Sequence, residues 1–349
     1  PVASLSWAEF RVRYEREVVS GLADKTAVKV AGVMNVLERI LPVVATGKLR
    51  DLDTNRISTL QTTLREQGRA EATIMGHLAH LRAALQWAAD VDLIAAVPKI
   101  KKPKRARRST GETPMKGRPI SGEEFERLLA KTADVVGAKH ADAWKHLLRG
   151  LWWSGLRLGE ALALTWDNRP GQLCVDLGGR RPMLRIPGEL QKSGKDQFLP
   201  LAPEFAELLL AVPEADRRGR VFRPLSKLGA VVTPERVSKV IGDIGKAAGV
   251  VVNRETKLVN ETIVDPETGK PTGKTQPIRR EVPKYASAHD LRRSFGERWS
   301  RRVMPPDLMT LMRHESIQTT MRYYVGRNAN STADALWTAY ETQAAGSGT

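Results

Sequence analysis

The sequence predicts a mainly α fold with a small antiparallel β-sheet, arranged as an N-terminal helical bundle and a second, α+β domain. Three observations predict it. Apolar residues recur at helical spacing through most of the first hundred positions and again after Ser121. Short β-like runs are confined to 172–201, with a separate hairpin-like stretch at 251–285. Between the two halves, residues 98–119 read PKIKKPKRARRSTGETPMKGRP, dense in Lys, Arg and Pro with little to bury. A chain of 349 residues exceeds one average domain and is long enough for two cores.

The expected first domain spans 1–97. Ser6 and Glu9 have the spacing of a capping box, opening a helix that carries Phe10, Val12 and Tyr14. A second helix runs from about Thr26 to Ile40, with Val30, Val33 and Leu37 on one side, and stops before Pro42. A third follows Asp53 and Thr54 with Ile57, Leu60 and Leu64, and Gly68 is its stop signal. The fourth carries Ile74, Leu78, Leu81 and Leu85 and ends near Trp87. His77 and His80 read as surface or packing residues rather than ligands. The chain opens on Pro1, as a processed or trimmed chain would.

Charge narrows the function. Fifty-six Lys and Arg against 39 Asp and Glu leave +17, which favours a polyanionic partner. The linker at 98–119 is then either a solvated tether or, the better reading, a strap along a phosphate backbone. Its cations are Lys101, Lys102, Lys104, Arg105, Arg107 and Arg108. Cys174 is the only cysteine, which leaves no internal disulfide and no cysteine-based metal site and fits a reducing compartment. No apolar run has the length of a membrane span, and no secretory h-region opens the chain. The expected location is cytoplasmic and nucleoid-associated, as in a prokaryotic cell.

The expected second domain spans 120–349. Ser121 and Glu124 cap a helix with Phe125, Leu128 and Leu129 on one side. The next carries Trp144, Leu147, Leu148, Leu151 and Trp152 and ends at Ser154-Gly155, with Gly155 as a left-handed cap. Arg157 follows at this tight break, with Glu160 one turn later to orient a neighbour. Runs at Gln172–Leu177, Met183–Ile186 and Gln197–Leu201 make the sheet, with Lys192 at a hairpin tip. Helices resume at Pro203–Leu210 and Pro234–Ala248. Residues 251–285 read as an insertion, either a surface hairpin or a DNA-facing flap, with Leu258–Val264 as one arm and Pro266-Glu267-Thr268-Gly269 as its tip. A last helix is expected at 331–343, with Ala335, Leu336, Trp337 and Tyr340.

Residues 289–324 hold two imidazoles, several guanidiniums and adjacent phenols. Such side chains make a poor core and a good site for holding and attacking a phosphate. The segments GLRLGEALAL at 155–164, QKSGKDQFLPL at 191–201, HDLRRSF at 289–295 and LMRHESIQTTMRYY at 311–324 stand in an order and spacing that resemble the tyrosine recombinase (phage integrase) family. The helical first domain resembles that family's core-binding domain.

By position, the resemblance implies that Arg157, Lys192, His289, Arg292, His314 and Tyr323 are catalytic, with Glu160 supporting. It makes Tyr323, rather than Tyr324, the nucleophile. It further implies a C-shaped clamp on double-stranded DNA, and a homotetramer linked by exchange of the C-terminal helix. Accessory directionality factors are further expected partners. It implies no cofactor, no metal and no membrane partner. Two positions depart from the pattern: Arg313 stands where a Gly usually precedes the last His, and Arg293 where many members have His. The expected function is site-specific recombination for a mobile element through a covalent 3′-phosphotyrosine. A type IB topoisomerase-like relaxase and a catalytically inactive DNA-binding protein are the alternatives.

Overall fold

The computed structural model describes residues 5–101, 116–190, 194–264, 268, 270–323, 336–337 and 340–341. The chain divides into two compact units, one of Pro1–Thr113 with Lys257–Arg279, the other of Pro114–Thr256 with Arg280–Thr349.

In the first unit, helices α1 (Trp7–Glu17), α2 (Asp24–Ile40), a single turn α3 (Pro42–Ala45), α4 (Thr54–Glu66) and α5 (Glu71–Asp90) surround one core. The capping box at Ser6 forms as the sequence predicts: the Glu9 amide donates to the Ser6 hydroxyl, and the Glu9 carboxylate accepts from the Ser6 amide. Phe10 and Tyr14 face inward with Trp7, whereas Val12 is 63% exposed because it lies half a turn away. Pro42 does more than stop α2, since it supplies the first residue of α3, where its missing N–H costs nothing. Helix α5 continues past Trp87 to Asp90, burying Ala88 in its last turn. Asp53 caps α4 by accepting from the Arg56 amide at 2.8 Å. Gly68 ends that segment with a positive φ of 73°, and a Cβ there would collide with Leu258.

In the second unit, α6 (Gly122–Val136), α7 (Ala138–Ser154), α8 (Leu158–Ala163), α9 (Pro203–Leu210) and α10 (Pro234–Ala247) pack around Trp144, Leu147, Leu148, Leu151, Phe205 and Ile241. Burying each such side chain is worth about 1.5–3 kcal/mol. The strands β1 (Cys174–Asp176), β2 (Met183–Ile186) and β3 (Gln197–Pro200) form an antiparallel sheet in that order, with Val175 opposite Leu184 and Leu184 opposite Leu199. β1 is shorter than the expected Gln172–Leu177. The Gln172 amide turns back to the Arg169 carbonyl, and the Asp176 side chain accepts from Gly178 to begin the next turn.

The hairpin arms are longer than expected, β4 (Val251–Val264) pairing with β5 (Pro271–Tyr285). Most of the expected tip, 265–267 and 269, lies outside the described residues. Helices α11 (Ala288–Ser300), α12 (Pro305–Met312) and α13 (Ile317–Met321) complete the unit. Of the helix expected at 331–343, Leu336, Trp337, Tyr340 and Glu341 are described as helical and exposed, and the rest lies outside the described residues.

Gly155 is the backbone pivot of this unit. It caps α7 in the left-handed region (φ 63°, ψ 12°), and a Cβ would meet the ring of Phe295. Gly155→Ala therefore adds backbone strain to overpacking. Urea unfolding should show a loss of roughly 2–4 kcal/mol. A loss under half a kcal/mol would mean that the turn relaxes freely.

Candidate active site

Helix α11 organises the site. Its first turn is closed by Ser287, whose hydroxyl and amide both donate to the buried Asp290 carboxylate, at 2.6 and 3.0 Å. Asp290 also accepts from Arg293 at 2.5 Å. The extra arginine at 293 is thus neutralised inside the domain. His289 and Arg292, one turn apart, share a face of the same helix.

Arg292 is only 4% exposed. Its two terminal nitrogens donate to the carbonyls of Gly155, at the end of α7, and Met312, at the end of α12. Burial, reinforced by the positive Arg157, brings its pKa down to about 10, so it stays cationic at neutral pH.

Arg157 begins α8 and is held by Glu160. The Glu160 carboxylate accepts from the Arg157 amide and from its guanidinium, each at 2.9 Å. A second guanidinium nitrogen of Arg157 donates to the Arg313 carbonyl at 3.1 Å. Arg313 caps α12 with left-handed backbone (φ 48°, ψ 53°), a conformation that costs a side-chain-bearing residue roughly 1–2 kcal/mol. Its own guanidinium donates to Glu160 at 2.9 Å, which offsets part of that strain.

The left-handed turn delivers His314. Its Nδ1 lies 2.9 Å from the hydroxyl of the fully buried Thr320, which leaves Nε2 for a substrate. Burial first, then Arg292, Arg157 and His289, push the His314 pKa down to about 4. His289 is lowered too, by burial and then by Arg293 and Arg292. Both imidazoles are therefore neutral at pH 7.

Tyr323 follows α13 and lies parallel to the His314 ring, with centroids 5.9 Å apart. It packs against the small cluster of Phe295, Leu308 and Met312. Gly296 makes the space, because a Cβ there would meet the Tyr323 ring. Burial raises the phenol pKa, outweighing the opposite pull of Arg292 and Arg293. With no substrate bound, the phenol is protonated.

A cavity of about 270 Å³ opens over Arg157, His289 and Arg292, floored by Leu156, Leu158 and Ala288. Ser238 of α10 and Ser287 add hydroxyls to its wall. Two guanidiniums and neutral imidazole around such a hollow can hold a tetrahedral oxyanion and exchange a proton with it. The structure thus brings together Arg157, Glu160, His289, Arg292, His314 and Tyr323. Lys192, Tyr324 and the strap residues Lys102, Lys104, Arg105, Arg107 and Arg108 lie outside the described residues; Lys101 is described and exposed.

Sequence reasoning missed Thr320, Ser238 and the Arg313–Glu160 pair. The Ser-x-x-Asp spacing at 287–290 is a signal that could have located the cap of α11, but nothing in spacing points Thr320 at His314. A larger hollow of about 610 Å³ lies elsewhere in the unit, beside Arg118, Trp152 and Arg298. Arg118 there is paired with Glu124, and Arg298 stacks on Trp152 at 3.8 Å with one buried guanidinium nitrogen, Nη1, left without a hydrogen-bond partner among the described residues. Among the described residues no group of three or more His, Cys, Asp or Glu could hold a metal ion, and no helix is long and apolar enough to cross a membrane.

No family model and no curated protein sequence matches the chain. Solved structures do. A lambda integrase fragment, crystallised as a dimer bound to a COC′ core site, matches with TM-score 0.61 at 16% identity over 93% of this chain and 98% of that one. The fold is that of the integrases. The Tn1549 transposon integrase in complex with transposon right end DNA matches with TM-score 0.58, at 16% identity, over 95% of this chain and 98% of that one. A lambda integrase tetramer bound to a Holliday junction gives 0.60 at 17% identity, over 93% of this chain and 80% of that one. At such identities the likeness shows a shared fold, mainly α with small antiparallel sheets.

The depressed imidazoles carry a consequence for stability. Unfolding returns His314 from about 4 to its ordinary 6.5, so between those values the unfolded chain binds the extra proton. The stabilising contribution is complete above pH 6.5 and is lost as the pH falls towards 4. Denaturant titrations across that window should show stability falling with acid, and His314→Gln should flatten the slope. An NMR titration placing His314 near 6.5 would overturn this assignment.

Proposed function

We propose that the chain is a site-specific DNA recombinase of the tyrosine recombinase family, integrating or excising a mobile element through a covalent 3′-phosphotyrosine. One observation carries the reading. Arg157, His289 and Arg292, far apart in the chain, line one small cavity on an integrase fold, and His314 and Tyr323 stack on each other within electrostatic reach of Arg292.

The proposed reaction starts with the scissile phosphodiester over the cavity, its non-bridging oxygens on Arg157 and Arg292. These fixed cations stabilise the extra negative charge of the transition state. His314, neutral and with Nδ1 occupied by Thr320, donates from Nε2 to the same phosphoryl group. Tyr323 attacks phosphorus, forming the Tyr Oη–P bond as the P–O5′ bond breaks. Because burial keeps the phenol protonated, its proton leaves during attack, and on this reading neutral His289 accepts it. Lys192 protonates the departing 5′-oxygen. A 5′-hydroxyl from a second strand then attacks the phosphotyrosine and releases Tyr323, so joining needs neither nucleotide hydrolysis nor a redox step.

Two further features support the reading beyond cleavage. Leu336, Trp337 and Tyr340 are 66–68% exposed on helical backbone, an arrangement suited to docking on a second copy in a tetramer. The strap from Lys101 to Arg108 supplies cations for phosphates outside the reaction cavity.

The deciding experiment is incubation with a nicked suicide substrate carrying the DNA that flanks the gene. A denaturation-resistant protein–DNA adduct is expected, its rate falling in acid, below the ordinary imidazole range, as His289 becomes protonated. Tyr323→Phe should abolish the adduct, and Arg157→Ala or Arg292→Ala should slow it by about 10²–10³-fold. An undiminished Tyr323→Phe adduct would refute the nucleophile assignment. Relaxation of supercoils without strand exchange between two sites would favour a topoisomerase instead.

Neutralising Lys101, Lys102, Lys104 and Arg105 together tests the strap separately. The slope of log binding constant against log salt should shrink by about 3–4, close to 0.9 per lost phosphate contact, on every sequence alike. An unchanged slope would remove the strap from the interface.

A further inference from the structure

The turn between α12 and His314 does more than present an imidazole. Its two successive carbonyls, Met312 and Arg313, accept from the two arginines of the cavity, Arg292 and Arg157 respectively. The backbone reaches this geometry through a left-handed residue, and that residue is an arginine rather than the glycine such a position favours. Its side chain turns back to Glu160 at 2.9 Å, on the same Oε1 atom that holds Arg157. Both partners of that pair are largely shielded, at 17% and 18% side-chain exposure, whereas Arg157 is 49% exposed. Arg157 thus owes its aim to a carboxylate that is itself pinned from the far side.

We infer that Arg313 is a positioning residue: through Glu160 it fixes the Arg157 guanidinium for the phosphate, and the side chain rather than the backbone turn is what the position was given an arginine for. The inference rests on the proposed phosphoryl transfer for its catalytic meaning. Its geometric core is independent of that reading. Without Arg313, Glu160 keeps only the Arg157 amide on Oε2 and the Arg157 guanidinium on Oε1. Its carboxylate can then turn about the amide contact, and Arg157 samples orientations in which its remaining N–H groups miss the phosphate. Because Arg157 uses only two of its terminal N–H groups on Glu160 and the Arg313 carbonyl, the others stay available to substrate.

Arg313→Gly isolates the side chain, because glycine keeps the left-handed turn without strain and leaves both carbonyls in place. The variant should fold at least as well as the parent. At saturating DNA its adduct should form about tenfold more slowly, with half-saturation unchanged, and Arg313→Lys should recover most of the rate. In combination with Glu160→Gln, Arg313→Gly should add no further loss, since both act through one carboxylate. A parental rate in Arg313→Gly, or multiplying losses in the double variant, would overturn the inference. A second readout needs no DNA: the Nε–H NMR signal of Arg157 should be ordered in the parent and broadened in Arg313→Gly, and an unchanged signal would equally overturn it. Failure of the parent to form any adduct, with the NMR difference present, would sink the proposed function and leave the positioning role standing.

Discussion

The second unit depends on one buried cation. Arg292 is placed almost wholly out of water with no carboxylate in contact among the described residues, and two main-chain carbonyls from distant segments take its N–H groups. Burying a guanidinium this way is expensive unless its donors are satisfied. Gly155 can offer its carbonyl because it turns left-handed at the end of α7, and Met312 because the next residue does the same at the end of α12. Both helix ends are therefore fixed by a charge on a third helix, α11, and the site is assembled by the same bonds that hold the fold.

That charge also sets the protonation of its surroundings. His314 and His289 are shielded from water and face guanidiniums, so His314 is held at about 4 and His289 is lowered from its ordinary value. Tyr323 feels two opposed influences, and burial prevails over the nearby arginines. Among the described residues that line the cavity, the permanent charge comes from Arg157 and Arg292, and the imidazole of His289 waits in neutral form. Such an arrangement suits a reaction in which negative charge accumulates on a phosphoryl group and one proton must be passed between oxygens.

Much of this was legible in the residues. Capping boxes at Ser6 and Ser121, the glycine at 155 and the apolar periodicity located the helices, because those signals act within one turn of chain. Arg157, His289, Arg292, His314 and Tyr323 stood in recognisable segments, and the fold brings all of them together. What escaped were features that exist only across long separations. Glu160 could be read as orienting a neighbour, but not that one of its neighbours would be Arg313, 153 positions on. Thr320 looked like any helix threonine until folding put it against His314. β1 came out shorter because a backbone turn before it and an Asp176 side-chain turn after it took over the flanking residues.

The distribution of the site along the chain has a further implication. Strap and first helices come from the early part, Arg157 from the middle, and His289, Arg292, His314 and Tyr323 from the last quarter. On the proposed function, a chain that ended before residue 289 would keep the cations that grip DNA and lack the groups that cut it. Synthesis from the N-terminus passes through that state each time. On the same reading, an interrupted product that kept the strap would compete with the complete chain for DNA.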